Sequence, residues 1–324
     1  MQILIVKLSS LGDLFHALPT VHALRQGLGA TVDWVTHTHY VEVVRCFTEV
    51  RRVIGFSRRG GRAEVGPFLR ELRRERYDLI VDLQGLTKSA LVARLARGAR
   101  RIGPSYHREI SRLLYNETAG MRDKQRHAVE EALDVVRHLG LPMPATPEFP
   151  VTFPKKVFHA TQPRIALAPC SRWLTKNWPA ARFIEVARAL RAQMGATFFL
   201  VGAPEDQAVC GEIAAALGDG AVNLCGQTSL VELGSVLQEM DLALTVDSGP
   251  MHIAAALGVP VLALFGPTDP QRTGPYGPQH RVVSVTVENC SACFRDRCER
   301  GDLACMERIT PDLVITAARE LLRP

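Results

Sequence analysis

Six residues near the end of the chain, Asp247-Ser248-Gly249-Pro250-Met251-His252, sit between the apolar run Leu242–Val246 and a second apolar stretch, 253–257. The first run reads as a buried strand and the second as a short helix. Gly258-Val259-Pro260 then leads into another buried strand, which ends at Gly266-Pro267-Thr268-Asp269. This is a βαβ unit with polar and glycine residues at the carboxyl ends of both strands, where open α/β sheets bind ligands. Backbone N–H groups of Ser248, Gly249 and Met251, beside the positive end of the helix dipole, suit a phosphate or pyrophosphate. Pro250 fits the first helical turn, where its missing N–H costs nothing. The plainer reading makes Asp247 and Ser248 caps of that helix, and the rest of the chain favours the anion.

Similar turns recur upstream. Ala168-Pro169-Cys170-Ser171-Arg172-Trp173-Leu174-Thr175-Lys176-Asn177-Trp178-Pro179 joins a strand end to a helix start through a polar loop holding one Arg and one Lys. Lys176 is a compact point charge that can neutralise a diphosphate, whereas Trp178 reads as a packing residue. Gly202-Ala203-Pro204-Glu205 and Gly226-Gln227-Thr228-Ser229 repeat the strand–turn–helix design. Together these turns aim one sheet edge at a single nucleotide.

In the first half, the opening strand runs into Ser9-Ser10-Leu11-Gly12-Asp13-Leu14-Phe15-His16. A carboxylate at the start of a helix is kept ionised by the dipole. At a sheet's carboxyl edge, Asp13 is therefore a candidate general base for a hydroxyl, or else a helix cap. Ser57-Arg58-Arg59-Gly60-Gly61-Arg62 reads as a basic, flexible loop, and Asp82-Leu83-Gln84-Gly85-Leu86-Thr87-Lys88 as another strand–turn–helix edge. With Arg100, Arg101, His107 and Arg108 assigned to loops further on, these fit a basic pocket for an acidic acceptor.

The elements that must position these residues alternate throughout. Strands are expected at 3–8, 31–36, 77–83, 164–168, 197–202 and 222–225, besides the two of the βαβ unit above. Helices are expected at 13–27, 65–76, 88–97, 126–139, 179–194, 204–217, 229–239 and 311–322. Prolines at 142, 144, 147, 150, 154 and 163 mark a linker. The alternation predicts an α/β protein with two parallel sheets wound in Rossmann fashion, divided as residues 1–150 and 151–324. The last helix is a candidate to pack back on the first domain. Neither half carries GxGxxG after its first strand, which argues against a nicotinamide or flavin enzyme.

At 324 residues, 47% hydrophobic and 22% charged, the chain has the make-up of a soluble two-domain protein. No apolar stretch approaches the roughly 20 residues of a membrane span. Met1–Lys7 lacks the basic start and cleavage site of a signal peptide, so a cytoplasmic location is expected. The net charge is +6, and the whole excess lies in residues 1–150, with 23 Lys+Arg against 16 Asp+Glu. A basic half suits an acidic small molecule or anionic lipid. With aromatics at 6% and no Arg/aromatic interleaving, nucleic acid is not expected as a partner. Of eight cysteines, Cys290, Cys293, Cys298 and Cys305 fall within sixteen residues. That spacing makes them a candidate structural zinc or iron knuckle, or else a reduced cysteine-rich loop.

Lys7-Leu-Ser-Ser-Leu-Gly-Asp13, Trp173-x-Thr-Lys176-x-Trp-Pro179, Asp247-Ser-Gly-Pro-Met-His252 and Phe265-Gly-Pro-Thr-Asp-Pro270, in that order, resemble the lipopolysaccharide heptosyltransferases of glycosyltransferase family 9. Leu83-Gln-Gly-Leu-x-Lys-Ser-Ala90, Arg108-Glu109, Leu114-Tyr-Asn116 and Gln125-x-His-Ala-Val-Glu130 are similar to the heptosyltransferase I subgroup. The resemblance implies a GT-B fold of two Rossmann-like domains around a cleft. It also implies inverting transfer of L-glycero-D-manno-heptose from ADP-heptose to the Kdo sugar of the inner core, on Kdo2-lipid A, without a catalytic metal or cofactor. Asp13 then matches the family's catalytic base. Cys170, Ser171, Lys176, Glu205, Thr228, Asp247, Ser248, Gly249 and His252 match donor contacts, with a Cys at the first position as a departure. Ser10, Arg58, Arg59, Arg62, Gln84 and Lys88 become acceptor contacts. The lipid-borne acceptor implies a peripheral place on the cytoplasmic face of the inner membrane. The cysteine cluster departs from the type I pattern, which keeps open a second core heptose or a protein as acceptor, and a non-catalytic nucleotide-sugar binding protein beside them.

Overall fold

The computed structural model describes residues 1–57, 61–288 and 290–323, with Arg62 described by its backbone alone. The chain divides into two compact units, Met1–Thr152 and Phe153–Pro324.

The first unit holds β1 (Gln2–Val6), β2 (Thr31–His37), β3 (Val50–Phe56), β4 (Arg76–Asp82), β5 (Arg97–Pro104) and β6 (Glu117–Ala119) in one parallel sheet ordered β3-β2-β1-β4-β5-β6. Ile3, Leu4, Ile5 and Val6 are fully buried because helices cover both faces of the central strands. Ile5 pairs with Trp34 on β2 and Val81 on β4. The β2 strand carries a buried carboxylate, Asp33, which accepts Arg51 at 2.9 Å, Arg52 at 3.0 Å and the Tyr77 hydroxyl at 2.8 Å. Burial pushes this carboxyl up, but the hydrogen bonds from Arg51 and Tyr77 and the two guanidinium charges outweigh it and hold it below its ordinary value.

The second unit holds β7 (Arg164–Ala168), β8 (Thr197–Leu200), β9 (Ala221–Asn223), β10 (Leu242–Val246), β11 (Val261–Leu264) and β12 (Arg281–Val283), ordered β12-β11-β10-β7-β8-β9. Read from the other edge, this is the winding of the first unit. The helix Ala180–Met194 ends at Gly195, whose φ of 69° is left-handed and favours glycine. Its buried Phe183 meets the ring of Trp178 edge-on at 5.1 Å, and Trp178 donates to the Ile309 carbonyl at 3.1 Å. Trp178 is thus the packing residue the sequence suggested. The last helix, Pro311–Leu321, packs on Ala180–Met194 and on β10, β11 and β12 within its own unit.

In both sheets the chain first winds to one side and then returns to the other. This places a topological switch between β1 and β4 in the first unit and between β7 and β10 in the second. At a switch point the loops leaving adjacent strands diverge and open a crevice at the carboxyl edge. Asp13 and Gln84 follow β1 and β4, whereas Ser171 and Asp247 follow β7 and β10.

Candidate active site

In the first unit, Asp13 lies in the helix Leu11–His16, three residues after the N-cap Ser10. Its Oδ2 accepts the Ser10 N–H at 2.8 Å and the Ser10 hydroxyl at 2.7 Å. Asp13 is therefore a helix cap in fact, and Ser10 is committed to it. The cap also fixes the carboxylate at the crevice, so capping and proton acceptance are compatible roles for one side chain. Gln84 supports the same loop: its Oε1 accepts the N–H groups of Leu8 at 3.0 Å and Ser9 at 2.9 Å. Its carbonyl is thus spent on positioning rather than open to an acceptor.

Beneath the crevice lies a network that the motifs did not announce. Lys7, buried, donates to the Leu83 carbonyl at 2.7 Å, and the Tyr106 hydroxyl donates to the same oxygen at 2.8 Å. Asp82 Oδ1 accepts from the N–H groups of Gln84 and Gly85, and Oδ2 from the Tyr115 hydroxyl at 2.8 Å. Burial pushes the Asp82 carboxyl up, against the hydrogen bonds from Ser89, Tyr115 and the backbone.

The basic residues distribute unevenly. Arg58 and Arg59 lie outside the described residues. Arg62 opens the helix Arg62–Leu72, so it belongs to a helix start and not to a loop. Lys88 sits half-buried in the first turn of the helix Thr87–Leu95. Arg100 and Arg101 are on β5, not in a loop, and their charges serve the fold. Arg100 grips Glu117 at 2.7 and 2.9 Å, and Arg101 donates to the carbonyls of Ala93, Ala96 and Ala99. The Ala93 and Ala96 carbonyls lie at the C-terminal end of the helix Thr87–Leu95, where carbonyls lack intrahelical partners, which is why a buried cation fits there.

In the second unit the expected residues converge. Lys176 Nζ donates to Asp247 Oδ2 at 2.7 Å and lies 4.7 Å from the Trp173 ring centre. Asp247 Oδ2 also accepts the Thr268 hydroxyl at 2.7 Å. Asp247 is thus the partner of Lys176 and not a helix cap. An ammonium has three N–H donors, so the bond to Asp247 aims Lys176 while leaving donors for an anion. Ser248 is the N-cap residue of the helix Gly249–Ala256, yet its side chain makes no capping bond, and among the described residues its buried Oγ has no hydrogen-bond partner. A buried hydroxyl without a partner costs free energy unless a ligand supplies one. Gly249 opens that helix, and His252 lies within it, half-buried.

Around this centre, the Ser171 N–H is held by Asn177 Oδ1 at 2.8 Å. Glu205 is exposed in the turn Pro204–Asp206 after β8, and half-buried Thr228 follows β9, both at the same sheet edge. Cys170, the departure from the family's polar residue at this position, is half-buried just after the end of β7. Burial, then the nearby Asp206 carboxylate that its thiol hydrogen-bonds, pushes it up to about 12. Thr268 was missed, although it lies in the polar turn that ends β11.

The cysteines at 290, 293, 298 and 305, an expected structural zinc or iron site, are not built as one. Among the described residues, no group of three or more His, Cys, Asp or Glu side chains is placed to hold a metal ion. Burial, then the nearby thiols of Cys290, Cys293 and Cys298, raises Cys305, so the four share a neighbourhood. However, Cys293 is exposed, and the Cys298 sulfur is turned to backbone N–H groups, with Leu303 first and Gly301 and Arg300 after it. The loop is tied down by hydrogen bonds instead. Phe294 N–H donates to the Pro267 carbonyl at 2.8 Å, and the Thr175 hydroxyl donates to the Arg295 carbonyl at 2.9 Å.

Comparison with known proteins adds three findings. Residues 65–304 match the model of glycosyltransferase family 9 (heptosyltransferase). The chain is 30% identical to lipopolysaccharide heptosyltransferase 1 of Pseudomonas aeruginosa, over 99% of this chain and 98% of that one. Among solved structures it is similar to the E. coli heptosyltransferase WaaC with ADP, at a TM-score of 0.83 and 28% identity, covering 99% of this chain and 100% of that one. The same E. coli enzyme with ADP-2-deoxy-2-fluoro heptose gives a TM-score of 0.80 and 27% identity, covering 99% of both chains.

Proposed function

The chain belongs to glycosyltransferase family 9, and from that premise we propose that it moves L-glycero-D-manno-heptose from ADP-heptose to the Kdo sugar of Kdo2-lipid A, inverting the anomeric centre. Its fold is GT-B, and its relatives are heptosyltransferases of the lipopolysaccharide core. The observation that carries the donor assignment is the pair Lys176–Asp247, which joins the loops after β7 and β10, beside a Ser248 hydroxyl left without a partner among the described residues.

In this reading the diphosphate of ADP-heptose lies against Lys176, the Ser248 hydroxyl and the backbone N–H groups that open the helix Gly249–Ala256. Negative charge develops on the diphosphate as the bond to the sugar breaks, and fixed positive charge at that place lowers the barrier. The acceptor hydroxyl oxygen attacks the anomeric carbon from the face opposite ADP. The carbon–oxygen bond to phosphate breaks with its electron pair leaving on ADP, and the hydroxyl proton passes to the Asp13 carboxylate. One base and one displacement suffice, and no residue of the chain forms a bond to the sugar. Glu205 and Thr228 would reach the nucleoside from neighbouring turns, and Lys88, with the Arg58–Arg62 segment, would meet the acidic acceptor. No described helix is long and apolar enough to cross a membrane, and a lipid-borne acceptor places the enzyme peripherally on the inner membrane's cytoplasmic face.

The test supplies the purified chain with ADP-heptose and Kdo2-lipid A, then follows ADP release, product mass and the configuration of the new bond. One heptose on Kdo in the inverted configuration is expected. Transfer only to an acceptor that already carries heptose would reassign the enzyme to the second core position. Absence of ADP release with either acceptor would sink the catalytic reading.

A further inference from the structure

The helix Thr87–Leu95 buries Ser89, Ala90, Val92 and Ala93 and turns Leu91, Arg94 and Leu95 to solvent. Leu91 and Leu95 are 48% and 39% exposed, and they are one helical turn apart. Against this helix packs the turn Ser111–Leu114, which with the residue before it shows Ile110 and Leu113, 63% and 82% exposed. The two pieces are clamped into one platform. Arg108 N–H donates to the Gly85 carbonyl at 2.7 Å, the Ser111 hydroxyl to the same carbonyl at 3.1 Å, and Thr87 N–H to Glu109 Oε2 at 3.0 Å.

Four large aliphatic side chains displayed on a rigid platform call for a covering partner. Cations stand among them: Arg94 in the helix, with Arg108 and Arg112 on the turn side, all exposed. The one acidic group within the platform, Glu109, is bound to Thr87 N–H and faces the charges of Lys88 and Arg108. Exposed aliphatic groups and guanidiniums on the same two elements match a surface that is apolar a few ångströms down and negative at the top. A second copy of the chain does not match it, because a two-fold contact would oppose this cationic face with itself.

We propose that the platform of helix Thr87–Leu95 and turn Ser111–Leu114 docks on an anionic phospholipid bilayer. This deepens the proposed function, on which it rests for the biological need, since a lipid-borne acceptor must be met at the surface that holds it. Leu91, Leu95, Ile110 and Leu113 enter the boundary between headgroups and acyl chains, and Arg94 and Arg112 bind lipid phosphates. Turnover on membrane-borne acceptor then gains from local concentration without any change at the reacting atoms.

Full-length protein is sedimented with vesicles of phosphatidylethanolamine and phosphatidylglycerol, and separately with phosphatidylcholine, in the absence of donor and acceptor. Wild-type protein should partition onto the anionic vesicles and far less onto the neutral ones. Leu113→Glu and the pair Arg94→Glu/Arg112→Glu change exposed side chains, so their Tm should stay at the wild-type value. Each should lower partition onto anionic vesicles by about tenfold or more. Turnover on a deacylated, water-soluble acceptor should be unchanged in both variants, while turnover on acceptor embedded in vesicles falls. Wild-type protein that ignores anionic vesicles, or variants that partition as wild type does, overturns the proposal. Concentration-dependent self-association abolished by the same variants would assign the face to a second copy and overturn it equally. The partition assay contains no substrate, so a failed transfer reaction leaves it standing and a failed partition leaves the transfer reaction standing.

Discussion

Lys176→Met tests the centre of the proposed donor site, and its cost follows from the geometry. The ammonium is 2.7 Å from Asp247, with the two side chains 16% and 8% exposed. Removing one partner of a fully buried pair costs about 3–5 kcal/mol because the remaining charge is stranded. Here the lysine reaches partly into solvent and Thr268 still donates to Asp247, so about 2–3 kcal/mol is expected. For a unit of this size that lowers Tm by about 4–12 °C. Lys176→Met/Asp247→Asn removes both charges and should recover much of the loss, since no carboxylate is left unpaired. ADP affinity should behave differently. A charge-assisted hydrogen bond to phosphate contributes about 1.5–3 kcal/mol, so both variants should bind ADP about 10–100-fold more weakly. Calorimetry and thermal melts on the three proteins separate the two effects. If Lys176→Met lost stability but kept wild-type ADP affinity, the lysine would be a structural partner of Asp247 only, and the donor assignment would fall.

Three other outcomes follow from named contacts. Asp13→Asn keeps an oxygen for Ser10, so stability should change by less than about 1 kcal/mol, while ADP release slows by about 10²–10⁴-fold; wild-type turnover would leave Asp13 as a cap alone. Burial pushes His280 down to about 4 from 6.5, while its Nδ1 accepts Val261 N–H at 3.2 Å. The unfolded chain therefore binds more protons between those values, and stability of the second unit should be whole above pH 6.5 and decline as pH falls toward 4. Denaturant midpoints should show that slope in wild type and a shallower one in His280→Gln, and equal slopes would contradict it. Gly103→Ala drives a methyl into the ring of Tyr115, whose hydroxyl holds Asp82. It should cost about 1–3 kcal/mol by overpacking, and an unchanged melt would show that the ring moves freely.

The sheet centres were legible because they are apolar on both faces: β1, β4, β7, β10 and β11 all announce themselves as short buried runs. The edges were not. Two arginines interrupt β3, and their charges go to Asp33 on the neighbouring strand, a partner that only folding supplies. β5 carries Arg97, Arg100 and Arg101 and read as loop until Glu117 and the helix carbonyls were in place. The helix expected at 126–139 instead forms two, Ala128–Ala132 and Asp134–His138, where the buried Asp134 accepts Arg126 and Arg137. In the site, Asp13, Lys176, Asp247 and Ser248 could be found because they end strands. What could not be read was that β1 lies beside β4 and β7 beside β10. That adjacency makes Gln84 a clamp on the loop of Asp13 and Asp247 the partner of Lys176.

The cysteine-bearing loop bears on how the donor site moves. The described residues 290–303 hold almost no regular structure, so their local opening belongs to the low end of the protein's stability range. The same segment is fastened to the turns after β11 and β7, through Phe294 to Pro267 and through Thr175 to Arg295. An opening fluctuation there releases two walls of the proposed donor site at once, and a nucleotide that holds those walls would suppress the fluctuation in return. The Phe294 amide therefore acts as a remote gauge of occupancy: its hydrogen exchange should slow when ADP binds, although neither Phe294 nor the thiols beside it belong to the proposed donor contacts.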